Sequence, residues 1–319
     1  MSGSSQVQAS EAGSAAGVRR VAVVGCGTIG ASWSALFLAH GLDVAAHDPG
    51  PGTEERLRLF VGRAVEQLAE LGLDGRGELT FHAGLEGAIE GAGFVQENAP
   101  ETEEAKRRVL AQIDALAPED VVVASSTTAL LRSAIVADCR FTRRHIVAHP
   151  FNPPHLVPLV EIVGEDDAVI GRACAIYRAL GRRPVVLRRE VYGHIANRLQ
   201  AALYREAVHL VEQGVASVAD IDAAVCNGPG LRWAVMGPHM TYHLGGGAGG
   251  IAGYFEHLGP SQVARWAALG DPSLTPEVQR QIVDGVAEEA AGRSIPELAQ
   301  RRDRALIDVL RSRTEVAGT

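Results

Sequence analysis

The chain has 319 residues, 46% of them hydrophobic and 21% charged, with a mean hydropathy of +0.05. At about 150 residues per domain this length allows roughly two domains with full cores, and the composition excludes disordered, fibrous and coiled-coil classes. Thirty basic against 38 acidic side chains leave a formal charge of −8, so no global basic field draws a phosphate polymer or an anionic membrane, and neither nucleic acid nor membrane is expected as a partner.

In chain order, residues 1–18 are small and polar, lack the apolar core of a signal peptide, and read as a disordered tail. A short apolar run from Val18 then leads into the glycine turn Gly25 to Gly30, an amphipathic helix stopped at Gly41, and a second apolar run ending in Asp48. That is one βαβ unit. Pro49 to Thr53 forms a loop, and a helical pattern follows from Leu57 to Leu71. A short strand at Phe94 and Val95, the loop Glu97 to Pro100, a charged helix from Thr102 to Leu116 and the strand Val121 to Ala124 come next. After Ser125 to Thr128 the pattern gives a helix, the strand His145 to Ala148, the loop HPFNPP and the apolar stretch Leu159 to Val163. Strands alternating with helices at this spacing predict an α/β fold with a mostly parallel, doubly wound sheet, a Rossmann-type domain over residues 19–189. Beyond it only helical patterns remain (His194 to Gln213, Val218 to Cys226, Gln262 to Ala268, Thr275 to Ala290, Ile295 to Leu310), predicting an all-α C-terminal domain over residues 190–319. Gly228 to Trp233 lies between helices, and Gly245 to Gly250 reads as irregular. No apolar run reaches the ~18–20 residues of a membrane span.

Cys26, Cys139, Cys174 and Cys226 lie far apart without a C-x-x-C motif, which suggests neither a zinc site nor a disulfide framework and fits a reducing cytoplasm. Lys106 is the only lysine, and with Glu103, Glu104 and Arg107 around it a solvated helix face is expected. Pyridoxal-phosphate chemistry and lysine-dependent dehydrogenation are thereby disfavoured. Gly25, Gly27 and Gly30, with Thr28 and Ile29 between them, follow a predicted strand and open a helix, the context in which glycines let a pyrophosphate approach backbone N–H groups. Asp48 ends the second strand, where a carboxylate accepts hydrogen bonds from both hydroxyls of an adenine ribose and repels a 2′-phosphate. The pattern points to NAD; the other reading is a glycine turn with a solvated aspartate. His149 ends a predicted strand, and Glu161 follows inside the apolar run LVPLVEIV, where a charge is costly unless paired. Such a pair is either structural or a carboxylate-oriented imidazole fit to act as general base in alcohol oxidation.

GCGTIG with Asp48, the Glu97-Asn98 loop, SSTT before a helix, AHPFNPP, LVPLVEIV and GHIANRLQ stand in the order and spacing of the 3-hydroxyacyl-CoA dehydrogenase family, which the chain resembles over nearly its whole length after the tail. The resemblance implies a two-domain NAD enzyme with an L-3-hydroxy substrate in its cleft and a homodimer formed largely through the helical domain. It places His149 at the general base, Glu161 at its orienting carboxylate and Asn197 at the asparagine that helps hold substrate and nicotinamide. It places Glu97 at a glutamate near cofactor and substrate. Thr128 stands where the family usually has a serine whose hydroxyl contacts the substrate oxygen; threonine keeps the hydroxyl, adds a methyl group and restricts χ1.

The segment GPGLRWAVMGPHMTYHLGGG is similar to that of the free-acid members of the family, the carnitine dehydrogenases and, less closely, L-gulonate 3-dehydrogenase and lambda-crystallin. A free acid presents a carboxylate where an acyl-CoA presents a neutral thioester, and a guanidinium fork bonds a carboxylate twice. Arg232 is the candidate anchor, an interface or domain-bridging salt bridge being the other reading. Phe151, Trp233, Tyr242, Tyr254 and Phe255 are either part of a cation–π cage for a quaternary ammonium group, Phe151 and Trp233 foremost, or core and dimer contacts. His239 and His243 flank the segment with no third ligand at a sensible spacing, so no metal is expected. The expected activity is NAD-dependent oxidation of the 3-hydroxyl of a small free acid, L-carnitine to 3-dehydrocarnitine or a gulonate-like acid. The alternatives are an L-3-hydroxyacyl-CoA dehydrogenase and a non-catalytic, crystallin-like NAD-binding protein.

Overall fold

The computed structural model describes residues 15–317, with side chains to residue 312. It divides into two compact units, one running to Ile195 and including Leu306–Arg311, the other made of Ala196–Ala305 and the chain from Ser312. The expected polar tail lies outside the described residues up to residue 14. Its end is corrected by the structure: Ala15 and Val18 form an antiparallel bridge and are buried.

The first unit runs β1 (Arg20–Val24), α1 (Thr28–Ala39), β2 (Asp43–His47), α2 (Thr53–Ala69), β3 (Leu79–His82), α3 (Leu85–Ile89), β4 (Phe94–Glu97), α4 (Glu103–Leu116), β5 (Val122–Ser125) and α5 (Arg132–Ile135). It continues with β6 (His145–Pro150), β7 (Leu159–Val163), α6 (Asp167–Ala179) and β8 (Arg183–Val186). The strands form one sheet in the order β3-β2-β1-β4-β5-β6-β7-β8. Every neighbouring pair is parallel except β6 and β7, which run antiparallel. Central strands covered on both faces read as continuous apolar runs, as VAVV in β1 does, because neither face meets water. Helix α1 is buried along nearly its whole length from Gly30, and its Trp33 stacks on Phe37 at 5.7 Å while Tyr177 meets Phe94 edge-on at 5.7 Å. The chain leaves β1 for β2 and β3, then returns to β4 on the other side of β1. This reversal of strand order opens a crevice outside the carboxyl ends of β1 and β4, where α/β sheets bind their ligands.

The second unit is helical: α7 (Ala196–Glu212), α8 (Val218–Asn227), α9 (Pro229–Trp233), α10 (Pro238–Gly245), α11 (Gly250–Ala267), α12 (Pro276–Ala290) and α13 (Ile295–Ala317). Its starts carry local signals: Ser217 and Thr275 accept N–H bonds from Asp220 and Val278, and proline opens α9, α10 and α12. Two expectations are corrected. Gly228 to Trp233 is not a plain connection but holds the short helix α9, and the pattern at Gln262 to Ala268 is the end of α11, which begins twelve residues earlier in the glycine-rich stretch. Among the described residues no helix is long and apolar enough to cross a membrane.

Candidate active site

At the crevice, two of the three motif glycines answer separate steric demands. Gly25 adopts a φ of +87°, and a Cβ there would meet the Asn98 carbonyl at 2.6 Å. A Cβ on Gly30 would lie 1.9 Å from the Gly25 carbonyl oxygen, so α1 can cross β1 closely only with glycine. Gly27 is different: it is exposed, and a Cβ there would meet nothing within 4 Å. It caps α1 without a side-chain hydrogen bond, and the first turn has no acidic residue, so the N–H groups at Gly27, Thr28 and Ile29 open a helix end that is electrostatically suited to an anion. Asp48 completes the cradle. Its Oδ2 accepts from the Cys26 N–H at 2.8 Å and its Oδ1 from the Gly50 N–H at 2.7 Å, which pins the carboxylate beside the glycine turn. These residues fit a dinucleotide: an open approach to free N–H groups for the pyrophosphate and a fixed acid for a ribose diol.

His149 and Glu161 lie directly opposite each other in the β6–β7 ladder. Antiparallel partners have Cβ atoms about 4.5–5.5 Å apart, so a separation of a dozen residues in sequence becomes a side-chain contact. His149 Nδ1 lies 2.9 Å from Glu161 Oε2, with both side chains almost fully buried. A carboxylate oxygen only accepts, which places the hydrogen on Nδ1 and leaves Nε2 as the basic nitrogen. Glu161 Oε1 accepts the Ile195 N–H at 2.8 Å, fixing the carboxylate in turn. Phe151 meets the His149 ring edge-on, centroids 5.4 Å apart. His194, quoted within GHIANRLQ but assigned nothing there, lies against the same ring.

Lys106 overturns its expected place on a solvated face. Its ammonium is buried and lies 3.0 Å from Glu97 Oε1, 3.3 Å from Glu97 Oε2 and 3.1 Å from the Ala99 carbonyl. Glu97 is 0% exposed, and its carboxylate also accepts from the Ala99 N–H at 2.5 Å and from the Ser125 hydroxyl. Its oxygens are thus engaged by protein groups behind the crevice wall. The carboxylate that serves the next loop is Glu101, which sequence reasoning missed: its Oε1 accepts from Thr127 Oγ1 at 2.6 Å, the Thr128 N–H at 2.7 Å and the Ala129 N–H at 3.1 Å. Thr128 is exposed on that turn. The signal for this network was the lone lysine itself, in a chain that otherwise uses arginine alone.

In the second unit Asn197 is half-buried in the first turn of α7, and Arg232 and Trp233 are exposed on α9. Tyr242 and Tyr254 come together with ring centroids 4.8 Å apart, and Phe255 adjoins Tyr254 at 5.9 Å. His243 Nδ1 accepts the Ile251 N–H at 3.1 Å. Elsewhere in the first unit, Asp114, Cys139 and His145 bring possible metal ligands within 4.8 Å of one another. That donor set suits no cation, because Asp114 already pairs with the Arg144 guanidinium at 2.9 Å and burial, with Asp114 beside it, pushes the Cys139 thiol up to about 12.

Residues 20–191 match the model of the 3-hydroxyacyl-CoA dehydrogenase NAD-binding domain, and residues 193–288 that of the family's C-terminal domain. The chain belongs to the 3-hydroxyacyl-CoA dehydrogenase family. It is accordingly an NAD-dependent oxidoreductase acting on a CH–OH group. An L-carnitine dehydrogenase of Streptomyces griseus is 47% identical over 92% of this chain and 90% of its own length. An L-carnitine dehydrogenase of Pseudomonas aeruginosa is 43% identical over 92% and 93%. Among solved structures, a 5-formyl-3-hydroxy-2-methylpyridine 4-carboxylic acid 5-dehydrogenase, an NAD+-dependent dismutase, matches with a TM-score of 0.79 at 30% identity, over 92% of this chain and 98% of its own.

Proposed function

We propose that the chain oxidises the 3-hydroxyl of L-carnitine or a closely similar free 3-hydroxy acid, with His149 as general base. The observation that carries the mechanism is the buried His149–Glu161 pair, which fixes the Nε2 lone pair on the one nitrogen not already bonded. Gly25, Gly27, Thr28, Ile29 and Gly30 hold the pyrophosphate of NAD at the start of α1, and Asp48 holds the adenine ribose and turns away a 2′-phosphate. The dinucleotide supplies the acceptor for the hydride that leaves C3. His149 Nε2 takes the proton of the C3 hydroxyl, and Glu161 stabilises the imidazolium so formed. Thr128 and Asn197 orient the substrate, the Thr128 turn being held by Glu101.

The substrate assignment is supported by the carnitine dehydrogenase relatives and by two features of the second unit. Arg232 offers an exposed guanidinium to a carboxylate, and exposed Trp233, Tyr242 and Phe255, the last two packed on the buried Tyr254, offer aromatic faces to a trimethylammonium group. Phe151 adds a ring beside His149. NADH formation with L-carnitine, L-gulonate and L-3-hydroxybutyrate, set against acetoacetyl-CoA reduction, tests the reading. Turnover of a free acid is expected, with KM rising about 10–100-fold in Arg232→Met, the loss of a charge-assisted hydrogen-bonded pair. Activity with the CoA ester alone would overturn it.

The homodimer is part of this proposal. It is implied by the family likeness, and Leu231, Val235, Leu244, Phe255, Val263 and Trp266, all exposed in the second unit, are the apolar side chains available to such an interface. Light scattering should therefore give about twice the chain mass of 33.6 kDa, and a mass near the monomer value at micromolar concentration would exclude it. The cytoplasm is the proposed compartment, consistent with Cys26, Cys139, Cys174 and Cys226 all being free thiols.

A further inference from the structure

Between β8 and α7 the chain places a second imidazole against His149. His194 is buried at 3% exposure, and its ring centroid lies 4.9 Å from that of His149 with the planes 31° apart. It takes a φ of 50°, the left-handed region that side chains other than glycine seldom occupy. Such a conformation persists only where the surroundings over-determine it. Here they do. His194 Nε2 lies 3.2 Å from the Thr127 carbonyl, which can only accept, so the hydrogen sits on Nε2. The His194 N–H donates to the Val191 carbonyl at 3.1 Å. The next N–H along, that of Ile195, donates to Glu161 Oε1 at 2.8 Å, while Oε2 of the same carboxylate bonds His149 Nδ1 at 2.9 Å. One carboxylate thus sets the spacing of both imidazoles, with Phe151 edge-on to His149 as a further wall.

The charge state of His194 follows from its surroundings. Burial pushes the imidazole below its usual range, and His149 beside it adds to the effect; the Thr127 carbonyl and the Glu161 and Glu101 carboxylates oppose it. At neutral pH the ring is therefore uncharged. An uncharged aromatic ring beside His149 tolerates the positive charge that arrives there with the substrate proton, whereas a protonated one would repel it.

We propose that His194 is a positioning residue for the reaction: it holds the His149 ring so that Nε2 faces the substrate hydroxyl. This rests on His149 being the base. The test is steady-state kinetics of His194→Ala, His194→Phe and His149→Gln from about pH 5 to pH 9, with NAD affinity measured on each. His194→Ala, which removes the ring, should lose about 10–100-fold in kcat with KM for the acid and the NAD dissociation constant unchanged, as expected for a base displaced by a fraction of an ångström. His194→Phe, which restores a ring that cannot titrate, should recover kcat to within about threefold. Wild-type kcat in His194→Ala, or a His194→Phe enzyme as impaired in kcat as the alanine variant, would overturn the proposal; should the alanine variant fail to fold, the phenylalanine arm decides alone. Turnover by His149→Gln would remove the base and this proposal together, while its absence leaves the His194 variants to judge the positioning role on its own.

Discussion

Replacing His149 with glutamine is expected to lower kcat by about 10²–10⁴-fold, the usual contribution of a general base, while NAD binds within about twofold of its wild-type affinity. The separation of effects follows from where the two functions sit. The proposed dinucleotide cradle is the β1–α1 turn and the end of β2, whereas His149 lies on β6 and pairs across to β7. Glutamine is the informative replacement because its amide can still donate to the buried Glu161 carboxylate; an apolar residue would leave that acid unpaired and confound chemistry with stability. Isothermal titration with NAD and initial rates with the hydroxy acid give the two numbers. A variant that keeps more than about a tenth of the wild-type rate would remove His149 from the role, since even a weak general base contributes more than that.

The glycine turn and the acid beside it were legible because their demands are local. A tight turn, a close helix crossing and an acid at a strand end each require a residue type at one position, and Gly25, Gly30 and Asp48 supply them. The His149–Glu161 contact was legible from the cost of an acid within an apolar run. The direction of the ladder that makes the contact also had a signal: residues 151–158 are too few for a helical crossover, which takes roughly a dozen or more, so β6 and β7 must run antiparallel. Strands β3 and β8 went unread for a physical reason. β3 is half-buried throughout and β8 mostly exposed at the sheet edge, so neither shows the apolar run that marks the central strands. Helix α11 was recognised only at its end because Gly250, Gly253, Gly259 and Pro260 weaken its helical propensity. His194 could not be found from pattern alone, and Glu101 only by asking what the lone lysine pairs with. Their roles depend on rings and amides brought together from β5, β6 and the loop before α7.

Lys106→Met should destabilise the first unit by about 3–5 kcal/mol, the cost of stripping one partner from a buried ion pair. Glu97 and Lys106 are 0% and 1% exposed, so the abandoned carboxylate has no water to turn to and keeps only the Ser125 hydroxyl and the Ala99 N–H. The double variant Glu97→Gln/Lys106→Met should recover most of the loss, because a neutral amide can meet the same two partners without a buried charge. The pair also explains why an otherwise lysine-free chain keeps one. Three donors on a compact ammonium reach Glu97 Oε1, Glu97 Oε2 and the Ala99 carbonyl within 3.3 Å, a convergent geometry that a planar guanidinium cannot reproduce in the same volume, so Lys106→Arg should also destabilise. The consequence reaches the site both through Ala99, whose loop carries Glu101, and directly, since the same ammonium lies 3.6 Å from Oε2 of Glu101, whose Oε1 holds the Thr127–Ala129 turn. Urea unfolding followed by tryptophan fluorescence in a Trp233→Phe/Trp266→Phe background, where Trp33 alone reports on the first unit, measures each step. A Lys106→Met loss under about 1 kcal/mol, the range of exposed ion pairs, would show that the carboxylate finds solvent and that the loop stands without its lysine.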